Sequence, residues 1–337
     1  MTVREAIARL ADGESLGESD MEAAIGEIME GSATPAQIGA FLALLRRKGE
    51  TIDEISGAAR AMRRCVTAIR GNDDVLDTCG TGGDDRHTFN ISTAAALVAA
   101  AAGCRVAKHG NRAMSGRVGG ADVLEHLGFA IDREPEVAER MLRELGFAFL
   151  FAPRLHPAMK HAAGPRRELG VRTIFNLLGP LTNPAGARHQ LLGVFDRRWL
   201  EPIAEVLGRL GSVHALVVHG EDGLDEITVA GPTMVAELRG GTIRRWTIEP
   251  EALGLRRSTL EELRVDGVAA SAELVRAVLT GASGAPRDVV LLNAGAAIYA
   301  ADRAATLEEG IERARRAIDT GAAQDLLERV VERSRAA

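Results

Sequence analysis

Aromatic residues are scarce in this chain: one Tyr, two Trp and eight Phe make up 3% of 337 residues. That excludes a surface built to stack nucleic-acid bases. Positive charge is not in excess, since 41 Lys and Arg against 47 Asp and Glu leave a formal net charge of −6. A phosphate-backbone binder would need the opposite balance. Cysteine is nearly absent. Cys65, Cys79 and Cys104 are odd in number, far apart and without metal-ligand spacing, and read as reduced, mostly buried thiols. The longest apolar run, Ala94–Gly103, falls short of the roughly 20 residues a membrane span requires. Met1–Leu10 carries charges and no apolar leader segment, so a cytoplasmic setting is expected. Hydrophobic residues, by contrast, make up 46% of the chain, ample for a sizeable core. The length favours one large domain with a smaller companion.

Helical spacing of apolar residues dominates the first 70 positions. Val3–Leu10, Asp20–Met29, Pro35–Lys48 and Ile52–Ala68 are expected helices, with Thr34-Pro35 and Thr51 at helix starts. Gly71-Asn-Asp-Asp reads as a turn and linker. Beyond it, apolar strands are expected at Val75–Thr78, Arg105–Ala107, Phe147–Phe151, Leu191–Val194, Ala215–His219 and Val289–Asn293. They alternate with helices at Ile91–Ala102, Pro135–Leu145, Leu200–Leu210, Ser271–Leu279 and Thr306–Arg333. Such alternation predicts an α/β fold with a mainly parallel central sheet. Pro232–Ile248 reads as short antiparallel strands. The expected division is a helical domain at 1–70, joined by about 156–176, and an α/β domain at 71–337.

The most informative stretch is Asp77–Gly128, which holds GTGGD (80–84), NIST (90–93) and KHGNR (108–112) around one small-residue helix. Gly80, Gly82 and Gly83 can turn successive N–H groups toward one point, making an anion cradle. Asn90, Ser92 and Thr93 stand at a helix start, where free N–H groups and the dipole favour phosphate. Lys108 and Arg112 add cationic donors. Singly, each segment is an ordinary turn, cap or loop; together they point to a ligand with more than one phosphate. Neither the nucleotide P-loop pattern nor G-x-G-x-x-G is present.

Two further segments carry chemistry. Glu221, Asp222, Asp225 and Glu226 crowd the exit of the strand Ser212–Val218. This is either a solvated acidic turn or a magnesium site completed by substrate phosphates. Arg166, Arg167 and Arg172 lie close in sequence to prolines and glycines, and read equally as a basic helix face or as a carboxylate clamp.

Taken together, GTGGD, TFNIST (88–93), KHGNR, GADVLEHLG (120–128), RRELGVRTIFNLLGPLTNP (166–184) and DGLDEIT (222–228) resemble the anthranilate phosphoribosyltransferase family of tryptophan biosynthesis. The similarity runs over nearly the whole chain. It implies a transferase moving phosphoribosyl from 5-phosphoribosyl 1-pyrophosphate to the amine of anthranilate. By that resemblance Gly80, Gly83, Asp84, Thr88, Asn90, Ile91, Ser92, Thr93, Lys108 and Gly120 hold the donor. Gly80, Asn111 and Arg166 contact anthranilate. Ser92 with Glu226, and Asp225 with Glu226, ligate two Mg2+ ions. A homodimer through the helical domain is also implied. His109 is the candidate proton acceptor, with a structural role as its alternative. The family's usual small residue after GTGGD is replaced here by Asp85-Arg86-His87, and Gly116, Val118 and Gly120 stand where serines are common. The rival readings are a pyrimidine nucleoside phosphorylase and a non-catalytic nucleic-acid-binding homologue. The acidic balance and the retained Asp225-Glu226 pair weigh against the second.

Overall fold

Three of the first four helices open on reciprocal caps, in which a threonine side chain accepts from the third helical N–H and a Glu or Gln returns the bond. These are α1 (Val3–Ala11), α3 (Pro35–Lys48) and α4 (Ile52–Arg64), with α2 (Glu18–Met29) between them. The computed structural model describes residues 1–70, 74–113 and 118–336. Most of the expected linker at Gly71–Asp74 and the position of Gly116 lie outside the described residues. Among the described residues no helix is long and apolar enough to cross a membrane.

The remaining elements follow as β1 (Leu76–Gly80), α5 (Ile91–Ala101), β2 (Val106–Gly110), α6 (Gly120–His126), α7 (Pro135–Leu145) and β3 (Phe147–Phe151). Then come α8 (Ala152–Leu155), α9 (Lys160–Leu169), α10 (Phe175–Leu178), β4 (His189–Gly193), α11 (Leu200–Arg209) and β5 (His214–Gly220). The hairpin β6 (Thr233–Arg239) and β7 (Thr242–Ile248) precedes α12 (Gly267–Leu279), α13 (Ala285–Ala300), α14 (Leu307–Asp319) and α15 (Ala322–Arg335). The seven strands form one sheet in the order β3-β2-β1-β4-β5-β6-β7. β1 to β5 pair in parallel, and β6 and β7 are antiparallel. The fold is thus the expected helical domain beside an α/β domain with a mainly parallel sheet. β4 and β5 are buried end to end, as strands covered on both faces must be.

Two expectations are corrected. Val289–Asn293 is not a strand but the middle of α13, which is buried on nearly every side. A helix apolar all round shows no 3.6-residue stripe, so a short window of it reads like a buried strand. Thr306–Arg333 is not one helix: α14 stops before Gly321, whose φ of +79° breaks the run ahead of α15.

One face of the sheet is covered by α5 and α13, with α14 and α15 packed outside them, and the other by α11, on which α4 of the N-terminal bundle packs. α9 packs on α2 and α3, and its Ala162 is buried in the same apolar cluster as theirs.

Candidate active site

The chain reverses direction across the sheet between β1 and β4, and in open α/β sheets ligands bind beyond the carboxyl ends of the strands at such a switch point. Here both strands end in glycine, and Gly80 and Gly193 are register partners. The acidic turn sits directly on them. A Cβ on Gly80 would come within 2.5 Å of the Asp225 carboxylate, and one on Gly193 would overlap the Asp225 carbonyl. Sequence reasoning missed Gly193; its signal, a glycine ending a parallel strand beside the switch point, is visible only once strand order is known.

Around this point the predicted residues assemble. Lys108, only 3% exposed, leaves β2 and donates from Nζ to the Thr78 carbonyl (2.6 Å) and to Ser92 Oγ (3.0 Å). Ser92 in turn bonds the Glu226 carboxyl. Asn90 caps α5, accepting from the Thr93 N–H at 3.1 Å, and donates to the Val118 carbonyl at 3.3 Å. Contact at position 118 therefore runs through backbone rather than a side-chain hydroxyl. Thr93 Oγ1 is buried with no hydrogen-bond partner. Gly120 lies so close that a Cβ would stand 3.2 Å from it. Ile91 is buried in the core under the helix start, and Thr88 bridges to Arg264.

The electrostatics are unbalanced. Burial, then Asp84 and Glu226 nearby, push the Asp225 carboxyl well above its ordinary range. Burial also pushes Glu226 up to about 7, against the pull of Lys108. Burial lowers the pKa of Lys108 while Asp77 and Glu226 oppose it. The Gly82 N–H donates to Asp225 Oδ2 at 2.7 Å, so the glycine loop lies over the acidic turn. Asp84, Asp225 and Glu226, offset only in part by Lys108 and the Gly82 N–H, favour either bound protons or a cation.

The other candidates separate. Arg166 stacks over the Phe175 ring at 5.1 Å, partly buried and with no acidic partner among the described residues, and burial lowers its pKa. Arg172 instead stacks over Phe195 at 4.5 Å, and Arg167 is exposed, so the three arginines do not form one clamp. Asn111 is exposed at the end of β2. Arg112 is turned to α6 and pairs with its acids. Its guanidinium is held by Asp122 (3.0 Å) and Glu125 (2.7 Å), because α6 presents two carboxylates beside it.

His109 has both ring nitrogens engaged. Nδ1 faces the Gly179 carbonyl at 3.2 Å and Nε2 faces His156 Nε2 at 3.1 Å. A neutral ring satisfies this by donating from Nδ1 and accepting at Nε2. Burial pushes its pKa down to about 3. Asp77 and Asn183, which the motif reading left out, lock this floor: Asp77 accepts from the His109 N–H (3.1 Å) and from Asn183 Nδ2 (2.8 Å).

Fold and site together define a two-domain transferase. Residues 72–324 match the a/b domain model of the glycosyl transferase family, and residues 4–66 match its helical bundle domain. An anthranilate phosphoribosyltransferase of Thioalkalivibrio sulfidiphilus is 56% identical over 98% of this chain and 98% of its own. The crystal structure of anthranilate phosphoribosyltransferase from Thermus thermophilus superposes with a TM-score of 0.94 at 46% identity, covering 98% of this chain and 99% of that one. The Saccharomyces cerevisiae enzyme, solved in complex with PRPP and Mg, superposes with a TM-score of 0.89 at 27% identity, covering 98% and 97%. The chain belongs to the anthranilate phosphoribosyltransferase family and is an enzyme of glycosyl transfer.

Proposed function

We propose that this enzyme transfers the phosphoribosyl group of 5-phosphoribosyl 1-pyrophosphate to the amine of anthranilate in a Mg2+-dependent reaction. The products are N-(5-phosphoribosyl)anthranilate and pyrophosphate. The observation that carries the reading is the chain Lys108–Ser92–Glu226 at the start of α5, with the unpartnered Thr93 hydroxyl beside it and Asp225 seated on Gly80 and Gly193. One spot offers donors for phosphate and acids that need a cation.

In this reading the amides of Gly80 and Gly83, with Asp84, Thr88, Asn90, Ile91, Ser92, Thr93, Lys108 and Gly120, line the donor site. The residues present fit magnesium. Asp225 and Glu226 supply hard carboxylate oxygens, and Ser92 supplies a hydroxyl. No three His, Cys, Asp or Glu side chains among the described residues form a closed cage, and substrate phosphates would supply further oxygens. Ser92 with Glu226, and Asp225 with Glu226, would hold two ions. Bound there, the metal supplies charge neutralisation for the departing pyrophosphate.

The nitrogen–C1 bond forms as the C1–oxygen bond to pyrophosphate breaks. The amine proton passes to water or to the leaving group. An aromatic amine is already unprotonated near neutral pH, so no strong base is demanded. His109, with both nitrogens engaged, serves as a rigid part of the wall. Lys108 and the α5 amides stabilise charge that grows on the phosphates. Arg166, desolvated and without an acidic partner, orients the anthranilate carboxylate, and Asn111 and Gly80 complete that pocket. The helical domain, extended by about 156–176, closes over the cleft and carries the homodimer contact.

The test is loss of anthranilate fluorescence on mixing protein, Mg2+, anthranilate and donor. Asp225→Asn with Glu226→Gln should abolish Mg2+-dependent turnover while preserving the fold by circular dichroism. Undiminished turnover in that double variant would remove the metal assignment.

A further inference from the structure

Between Val289 and Ala300, α13 carries a single amide side chain, Asn293, and it is fully buried. An amide taken out of water costs free energy unless its hydrogen bonds are remade. Asn293 remakes three. Its Oδ1 accepts from the Ile227 N–H at 3.0 Å, and its Nδ2 donates to the Ile227 carbonyl at 2.8 Å and to the Val289 carbonyl at 2.8 Å. The side chain thus pairs with both polar groups of one residue, as a neighbouring strand does in an antiparallel hydrogen-bonded pair. The reverse orientation of the amide would set its oxygen against two carbonyls, which fixes the assignment. Ile227 is itself buried, and among the described residues no other group bonds its backbone.

Ile227 directly follows Glu226. The turn that carries Asp225 and Glu226 is closed on itself by short bonds: Thr228 Oγ1 donates to Asp222 Oδ2 at 2.6 Å, and the Gly220 N–H donates to the Leu224 carbonyl at 2.9 Å. Those bonds hold the turn's shape, whereas Asn293 ties its backbone to α13. α13 has little room to shift, because Gly295 and Gly310 bring it into backbone contact with α14. Crowded carboxyls repel one another, and a turn free to rotate at residue 227 would swing Glu226 away from Asp84 and Asp225.

We propose that Asn293 is a positioning residue for the acidic pair: by clamping the Ile227 backbone it holds Asp225 and Glu226 in place before a divalent cation arrives. The inference rests on the metal role proposed for those two acids. Asn293 acts through the backbone and is not itself a ligand. Ligands held ready lose less freedom when the ion binds, which is how outer partners of this kind set affinity.

The test is titration of the whole protein with Mn2+, which shares the preference of Mg2+ for carboxylate oxygens, followed through the paramagnetic resonance signal of the free ion. Saturable binding is expected in the parent and should vanish in Asp225→Asn with Glu226→Gln. Asn293→Leu keeps similar bulk but strips both Ile227 groups of their partner, and should weaken binding about 10- to 100-fold. Leu291→Ala is the control. At about 100° per residue it lies on nearly the opposite side of α13, so it loosens the same helix without freeing Ile227 and should bind as the parent does. Circular dichroism checks that each variant is folded; Asn293→Ser and Ile298→Val stand in for either that is not. Parent-like binding in the Asn293 variant, or an equal loss in the control, overturns the proposal and leaves the metal site intact. Binding that is absent from the parent, or retained when Asp225 and Glu226 are changed, removes the metal reading and this proposal with it.

Discussion

Arg166 shows how much one side chain's surroundings decide. In sequence it is one of three nearby arginines; in space it alone rests on Phe175, desolvated and without a counter-charge. Arg166→Ala should raise the KM for anthranilate by about tenfold or more and change the donor KM far less. Steady-state kinetics with each substrate varied would show this, and an equal effect on both constants would count against the clamp. The histidine pair makes a second prediction. Burial holds His109 at about 3 and His156 at about 4, whereas an unfolded histidine titrates near 6.5. Between these values the unfolded chain binds protons that the native one does not, so the stability the pair contributes is intact above about pH 6.5 and falls as the pH drops toward 4. The raised carboxyls of Asp225, Glu226 and Asp77 act in the opposite direction over the same window. The histidine share is therefore read as a difference: urea midpoints of His156→Gln should fall less, or rise more, than those of the parent as the pH drops, and parallel curves would show that the pair contributes nothing.

At the scale of elements, close backbone contact sets several positions that no motif marks. α13 crosses α14 at Gly295 and Gly310. A Cβ on Gly295 would stand 2.7 Å from the Ile311 nitrogen, and one on Gly310 would overlap the Gly295 carbonyl. Gly295→Ala should therefore force the helices apart and cost about 1–3 kcal/mol, read as a lower urea midpoint with circular dichroism retained. A variant as stable as the parent would mean that the crossing adjusts freely. The paired glycines at the ends of β1 and β4 obey the same logic, with Asp225 as the close neighbour.

For the whole molecule, the two domains are distinct in sequence but share one apolar cluster. Residues of α1 to α4 are buried in the same core as α11 and one face of β4, β5 and β6. Arginines of α4 strengthen the seam. Arg63 donates to the carbonyls of Leu181 (2.8 Å) and Leu210 (2.9 Å), and Arg60 donates to that of Arg209 (2.9 Å). The full chain should accordingly unfold in one calorimetric transition, because separating the domains exposes a continuous hydrophobic face. Two resolved transitions would show the seam to be weak.

Local chemistry was legible because it is written in neighbouring residues. Small residues after Asn90 mark a helix start, glycines mark the loop, and period and composition mark most strands. α13 was not legible, since burial on all sides erases periodicity. Nor was the fate of Arg112, which depends on two carboxylates of α6, or the engagement of His109 by Gly179 and His156. The sequence by itself determined the fold class, the glycine-rich and helix-start motifs and the acidic pair, all of which follow from short-range propensity. Tertiary structure alone decided which cations remain unpaired, which carboxyls lose water and which glycines must admit a neighbour. Those properties belong to distances between segments remote in the chain.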